Sequence, residues 1–443
     1  MKPNAHQPAS QWKSAVLAHA AHLNDYILRG DACDWQDMDA HDPAPDLSAL
    51  LPQMLAELRA ANAEGSEAAI NAFREHWPPM HEATLELLEE SSQGFGALAW
   101  LPDGDLLVRT GCWYEPGRVL CIQGLRIVDM PHVEMFGLSP NQRVLALAAN
   151  GSVRLVPSTD CTNQAELATF SLPDGSEGLP AGHPVNDQRE HPGTDIQLLL
   201  PFDDASGVVV VQSAGVFLLT ASGTTRLLPT DTELAEAMKD KTRYPVYLDM
   251  CHAAISPDGR WIVCGAQDGP HRVFNARGEL VDSIGPHGEY PHHAAFFADG
   301  RHAAMNACHF YNGATIAVDA SAFGGIQTDY YEEHPAVTVI DPSARVYASA
   351  PAGHALVLGD AQGYLWARDH TGQLQWKQYV GGTICAMAAS ADGARLAVGT
   401  YSGTVHIIDL ADTRPAPEQV GVRARKELRR WVFWKKENQP LAW

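Results

Sequence analysis

What the sequence lacks excludes several classes of protein. Its eight cysteines (Cys33, Cys112, Cys121, Cys161, Cys251, Cys264, Cys308 and Cys385) form no CxxC pair and no regular framework. That argues against a zinc ribbon or a disulfide scaffold, and most of them sit in apolar runs where a thiol acts as a small hydrophobe. Reduced cysteines are expected. No apolar run approaches the roughly 20 residues of a membrane span. Positive charge is scarce, with 31 Lys and Arg against 53 Asp and Glu and a formal net charge of −22. Nucleic acid phosphates and anionic lipid surfaces both attract positive proteins, so neither is an expected partner. The opening Met1-Lys-Pro-Asn-Ala-His-Gln-Pro lacks the apolar core of a signal peptide, which leads to the expectation of a soluble, cytoplasmic chain, monomeric by itself. Also missing are a glycine-rich phosphate loop, GxSxG and HExxH, so no cofactor is implied and no enzyme class announces itself.

Disorder is excluded by what is present, because apolar residues make up 45% of the chain and charged ones only 19%. The first ninety residues read as helices and set off a region 1–91. Ser10 to Leu28 carries Trp12, Val16, Leu17, Ala20, Leu23, Tyr26 and Ile27 at three- and four-residue spacing, with Ser10 placed to cap and Gly30 to terminate. Helical spacing resumes over Leu47–Leu58, Glu67–His76 and Met80–Leu88 after an Asp- and Pro-rich loop. The region is acidic, with seven Asp and eight Glu against five basic residues.

From Phe95 the period changes from helical to alternating. The clearest passage is written twice, about forty residues apart: His252-Ala-Ala-Ile-Ser-Pro-Asp258-Gly259-Arg260, then His293-Ala-Ala-Phe-Phe-Ala-Asp299-Gly300-Arg301. Each copy reads as a strand, a tight Asp-Gly turn and a second strand. Variants begin at Ala97, Met135, Ile196, Arg345 and Ile384, and most lead on to third and fourth strands. Seven units of four antiparallel strands cannot bury both faces alone, so they stack radially. The expected fold is mainly β: a seven-bladed β-propeller over 92–443 with an N-terminal α-helical extension. Closure of blade seven is open between two segments, Arg430–Lys435 and the stretch before Phe95. The tail Val422–Arg430 otherwise reads as a short basic helix. Two insertions, Pro173–Thr194 and Pro229–Tyr244, both precede first strands and are expected to project from one rim, the second with a helix over Asp231–Lys239.

The turn Ser256-Pro257-Asp258-Gly259 resembles the first hairpin of WD40-type blades, as do Leu138-Ser139-Pro140-Asn141 and Ser390-Ala391-Asp392-Gly393. Gly403-Thr-Val-His-Ile-Ile-Asp409 is similar to a third strand of such a blade, and Leu365-Trp366 through Trp376 resembles quinoprotein-like blades. The resemblance covers roughly 95–410 and implies fold alone, since the Gly-His and Trp-Asp dipeptides of most WD40 blades are missing.

In such a fold the first strands begin at the mouth of a central channel. Blades four and five alone place histidines there, His252 and His293, preceded by Cys251 and His292. The loop of blade five adds Asn306, Cys308, His309 and Tyr311, that of blade four Gln267 and Asp268, and that of blade one Trp113 and Tyr114. One reading is a metal or catalytic centre from His252, His293 and His309, since imidazole and thiolate suit zinc. Another is that these histidines satisfy hydrogen bonds between inner strands or touch a partner. Tyr330-Tyr331-Glu332-Glu333-His334 is expected ahead of blade six, with its paired carboxylates facing opposite ways. The leading functional expectation is a non-catalytic scaffold that binds a protein partner across the mouth; a metal-dependent enzyme or small-ligand binder is the alternative.

Overall fold

Alternation that begins at Phe95 folds into seven antiparallel sheets. The computed structural model describes residues 7–85, 87, 93–112, 115, 117–159, 165–185, 195–239 and 245–443. Blade one runs Phe95–Trp100, Leu106–Thr110, Val119–Gln123 and Arg126–Asp129; blade two runs Met135–Leu138, Val144–Ala149, Ser152–Pro157 and Ala168–Ser171. Blade three is Ile196–Pro201, Gly207–Gln212, Gly215–Thr220 and Gly223–Leu228, and blade four is His252–Ile255, Trp261–Gly265, His271–Asn275 and Leu280–Ile284. Blade five is Tyr290–Phe296, His302–His309, Asn312–Asp319 and Val337–Asp341. Blade six is Val346–Ala352, Ala355–Asp360, Tyr364–Arg368 and Leu374–Tyr379, joined at its edge by Val420–Val422. Blade seven is Ile384–Ala389, Arg395–Thr400, Thr404–Asp409, Lys426–Val432 and Leu441–Ala442. Each first strand meets the first strands of the two neighbouring blades around the whole circle, blade seven meeting blade one. The chain is a seven-bladed β-propeller, the fold that the hairpin repeats imply.

Radial stacking buries both faces of the middle strands. Val208, Val209, Val210 and Val211 are all fully buried in succession, which alternation for a one-faced strand would not produce. Each side chain so buried contributes about 1.5–3 kcal/mol. The WD40-like turns share one local lock. Ser256 Oγ donates to Asp258 Oδ1 at 2.6 Å and accepts from Trp261 N at 3.0 Å. Ser390 and Asp392 repeat this, and Ser139 with Asn141 does so as well. Gly259 at φ +68° takes the left-handed step that the turn requires.

Blade seven closes with the tail, so of the two candidate segments the C-terminal one supplies the strand. That strand begins earlier than expected, at Lys426, and the basic helix over Val422–Arg430 does not form. The reason is an inverted pattern: Glu427 points inward and is buried while Leu428 faces solvent. The seam between blades seven and one has no shared strand. It is held by Phe95 against Phe433 (ring centroids 5.1 Å apart), by Gln93 Nε2 donating to Phe433 O at 2.6 Å, and by Gly399, which makes room for the Phe95 ring.

Helices α1 (Gln7–Ala32), α2 (Leu51–Glu64) and α3 (Glu67–His76) lie against blades six and seven. Helix α1 outruns both expected boundaries. Gly30 is interior to it and lets the Trp35 ring pack on its Cα, where a Cβ would stand 2.7 Å from Trp35 carbons. Within Met80–Leu88 the turn Glu82–Thr84 leads into α-helix at Leu85 and Leu87, and 86 and 88–92 lie outside the described residues. Trp12, Met54, Leu58, Phe73 and Trp77 share one core with Val432, Trp434, Leu441 and Trp443 from the far end of the chain. Among the described residues no helix is long and apolar enough to cross a membrane, and no disulfide joins the seven described cysteines.

Candidate functional site

The repeat that places His252 and His293 on adjacent inner strands brings four imidazoles to the junction of blades four and five. His252 opens its strand opposite Gly265, across which lies the third strand opened by His271. No side chain at Gly265 separates the rings, and a Cβ there would stand 2.7 Å from His252 Cε1. His252 Nδ1 lies 3.0 Å from Met250 O, and its Nε2 lies 3.1 Å from His271 Nδ1. For neutral rings this order assigns the tautomers: Nδ1–H of His252 donates to the carbonyl, and Nδ1–H of His271 donates to His252 Nε2. His271 Nε2 is then a buried lone pair without a hydrogen-bond partner.

Burial disfavours the charged imidazolium at every one of these positions. It pushes His252 down to about 3 and His292 to about 4, with His292 itself adding to the effect at His252. His271 is driven well below its ordinary value by burial and then by its histidine neighbours. His293 is half-buried by surface area yet deep in the channel wall, where burial, His292 and His252 hold it at about 3. Its Nε2 is 2.8 Å from Ser349 Oγ on the first strand of blade six. His292 Nδ1 is 3.0 Å from Tyr290 O. The four rings are therefore neutral and mostly spent on internal bonds.

The remaining sequence candidates divide. Asn306, fully buried, ties blade five to blade six: Nδ2 donates to Thr315 Oγ1 at 2.8 Å and to Ala344 O at 3.0 Å, and Oδ1 accepts from Val346 N at 3.2 Å. Cys308 is buried, and burial pushes its thiol up, away from the reactive thiolate. His309 points outward and pairs with Glu289 at 2.8 Å, so it does not join His252 and His293. Among the described residues no three His, Cys, Asp or Glu side chains converge as metal ligands. Gln267 bonds Asp249 O through its backbone, and Asp268 borders a separate cavity. Trp113 and Tyr114 lie outside the described residues.

Tyr311 stands on the rim, 84% exposed, beside Phe310 at 63%. The two form the tip of the hairpin that pairs His309 with Asn312. Phe310 has φ +50°, a conformation that bulky residues avoid, and Arg345 donates to its carbonyl. Tyr247, Tyr330 and Tyr331 are also exposed. The segment Tyr330–His334 does not precede blade six as expected. It belongs to the connection between the third and fourth strands of blade five, which climbs beside the outer strand of blade four through the Ser283–Gln327 bridge. Tyr331 N reaches Pro286 O and Tyr330 Oη reaches Gly269 O at 3.1 Å, which puts both rings on the rim where first strands begin. Met250, Phe310 and Tyr331 all hold left-handed backbone on this rim. The signal for Phe310 and Tyr331 was in the sequence as aromatic pairs in polar loops; their shared face was not.

No family model matches the chain, and no curated protein matches it. Among solved structures it is similar to a chain of one titled "Crystal Structure of Mitotic Checkpoint Complex", at 13% identity over 69% of this chain and 83% of that one, with a TM-score of 0.47. The likeness is too distant to add to the strand pairing, on which the fold stands by itself.

Proposed function

We propose that this propeller is a non-catalytic interaction module that binds a protein partner on the rim above blades four and five. The observation that carries this reading is the cluster of exposed aromatics at Phe310 and Tyr311, with Tyr247, Tyr330 and Tyr331 on the same face. Tyr and other aromatics supply large contact area at small entropic cost and are enriched at binding hot spots. Holding a bulky residue such as Phe310 or Tyr331 at positive φ costs about 1–3 kcal/mol, strain of the kind that gathers at working surfaces. Below the rim, the neutral histidines and Asn306 stiffen the inner strands that carry it.

A metal-dependent enzyme at the same junction has less to support it. Its three nominated ligands are engaged with different partners, His252 with His271, His293 with Ser349 and His309 with Glu289.

A photo-crosslinking amino acid placed at position 311 tests the reading in extracts of the source cells. A discrete adduct is expected, competed away by wild-type protein and lost when Phe310→Ala is added. Adducts equal to those from a crosslinker at Leu280, on the outer edge of blade four, would exclude the rim as the binding face.

A further inference from the structure

The two insertions that interrupt the blade rhythm enclose a cavity, and nothing about the histidine junction requires it. Helix α4 (Asp231–Ala237) opens the insertion between blades three and four. Its start is fixed by a reciprocal capping box between Thr230 and Glu233, and Leu234 is its one buried anchor. Glu233 also binds Arg272 on the third strand of blade four at 2.7 Å, which holds the helix to the blade. Between this helix, the Pro180–His183 turn of the other insertion and the Ala266–Pro270 loop lies a space of about 900 Å³. Its walls include Leu228, Ala237, Met238, Val246 and Ala266, so it is an apolar recess large enough for bulky side chains.

Its described lining carries three carboxylates: Glu233 is paired with Arg272 and Glu236 with Lys239, which leaves Asp268 as the one that no described cation neutralises. Asp268 has no hydrogen-bond or ion-pair partner among the described residues. Tyr247 on the wall is raised by partial burial and then by the nearby Asp249 and Asp195, so the negative field extends past the lining carboxylates. The cavity adjoins the aromatic rim, where Tyr330 Oη donates to the carbonyl of Gly269, itself a wall residue.

We infer that the recess between helix α4 and the Ala266–Pro270 loop binds a short linear segment of a partner protein, seating a bulky apolar side chain inside and an adjacent Arg or Lys against Asp268. This rests on the interaction reading above and adds the chemistry of the partner. An anionic ligand would meet the unneutralised Asp268, whereas a cation beside the apolar group pairs with it.

The test is to pan a randomised heptapeptide display library on the full chain and measure enriched, dye-labelled peptides by fluorescence polarisation. Peptides joining Arg or Lys to Leu, Ile, Phe or Trp are expected. Ala237→Trp, which fills the recess from an exposed helix end, and Asp268→Lys should each weaken them by about tenfold or more; Leu280→Ala, on the outer edge of blade four, should leave them unchanged. Ala181→Trp, on the opposite wall, checks that the loss comes from occupancy and not from disturbing helix α4. Enrichment of peptides without a cation, no enrichment, or indifference to both wall variants would overturn the inference. Peptides sensitive to Tyr311→Ala alone would move the segment to the rim, which refutes the recess and spares the interaction module. Failure of both this test and the crosslinking test would remove both.

Discussion

Arg74 on helix α3 donates to Glu427 on the closing strand of blade seven, at 3.1 Å, joining residues from opposite ends of the chain inside a buried contact. Glu427 also accepts from Arg430 at 3.0 Å and contacts His406 Nδ1 at 3.0 Å. Burial opposes its charge, but Arg430, Arg74 and His406 outweigh that and hold it well below the ordinary carboxylate range. Arg74→Met removes one of these partners and is expected to destabilise the chain by about 1–3 kcal/mol. Urea denaturation of the two proteins at pH 7 measures it, and an unchanged midpoint would mean the pair is incidental.

Acid should unfold the protein well above the carboxylate range. His252 at about 3, and His292 and His406 at about 4, stay neutral when folded, whereas an unfolded histidine takes up its proton near 6.5. Stability is therefore fully present above pH 6.5 and falls as pH drops toward 4, by up to about 1.4 kcal/mol per pH unit for each such histidine. Glu427 acts lower down, since its depressed folded value makes its contribution fade only below about 4.5. Calorimetry from pH 7.5 to 5 should show a Tm that holds level above about 6.5 and falls below it; a flat profile throughout would contradict neutral buried rings.

Gly265 and His252 should be coupled. Gly265→Ala brings a methyl within 2.7 Å of His252 and is expected to cost about 1–3 kcal/mol through overpacking. In a His252→Ala background the same change should cost much less. A double-mutant cycle reads the difference, and additive effects would place the strain elsewhere.

Asn306→Leu leaves Val346 N, Ala344 O and Thr315 Oγ1 without their partner in a fully buried site. A loss of about 2–4 kcal/mol is expected. Hydrogen exchange should locate the loosening at the first strands of blades five and six, and a uniform change across the ring would argue against Asn306 as the tie.

Removing residues 1–77 should expose Val432, Trp434, Leu441 and Trp443, all buried against the helices, and the Trp443 indole would lose its bond to Trp77 O. The shortened chain is expected to aggregate or bind a hydrophobic dye where the full chain does not. A soluble, dye-silent product would show that the propeller stands without its helices.

The hairpins carried most of the fold because an Asp-Gly or Asn turn between apolar runs is a local signal, and the Ser256, Ser390 and Ser139 locks are local too. Long-range placement was less legible. Glu427 and Leu428 invert the usual inside and outside, and the approach of Arg430, Arg74 and His406 makes that stable. His252 and His293 stood out because the repeat aligned them. His271 did not, because its pairing with His252 depends on strand register across Gly265. The recess at helix α4 comes from insertions more than forty residues apart, a proximity no local pattern encodes.

The seam between blades seven and one has a mechanical consequence. The other six blade junctions are crossed by the chain itself, whereas this one is held by side chains alone, with Phe95 set against Phe433 and Gln93 bonded to its carbonyl. Helices α1–α3 lie over blades six and seven and fasten that flank through Arg74, while Ile70 of α3 reaches the apolar core that blades seven and one share. Under tension the ring should therefore part at Phe95 like an unclasped bracelet. Blades four and five, with the rim and recess they carry, lie across the circle from that clasp.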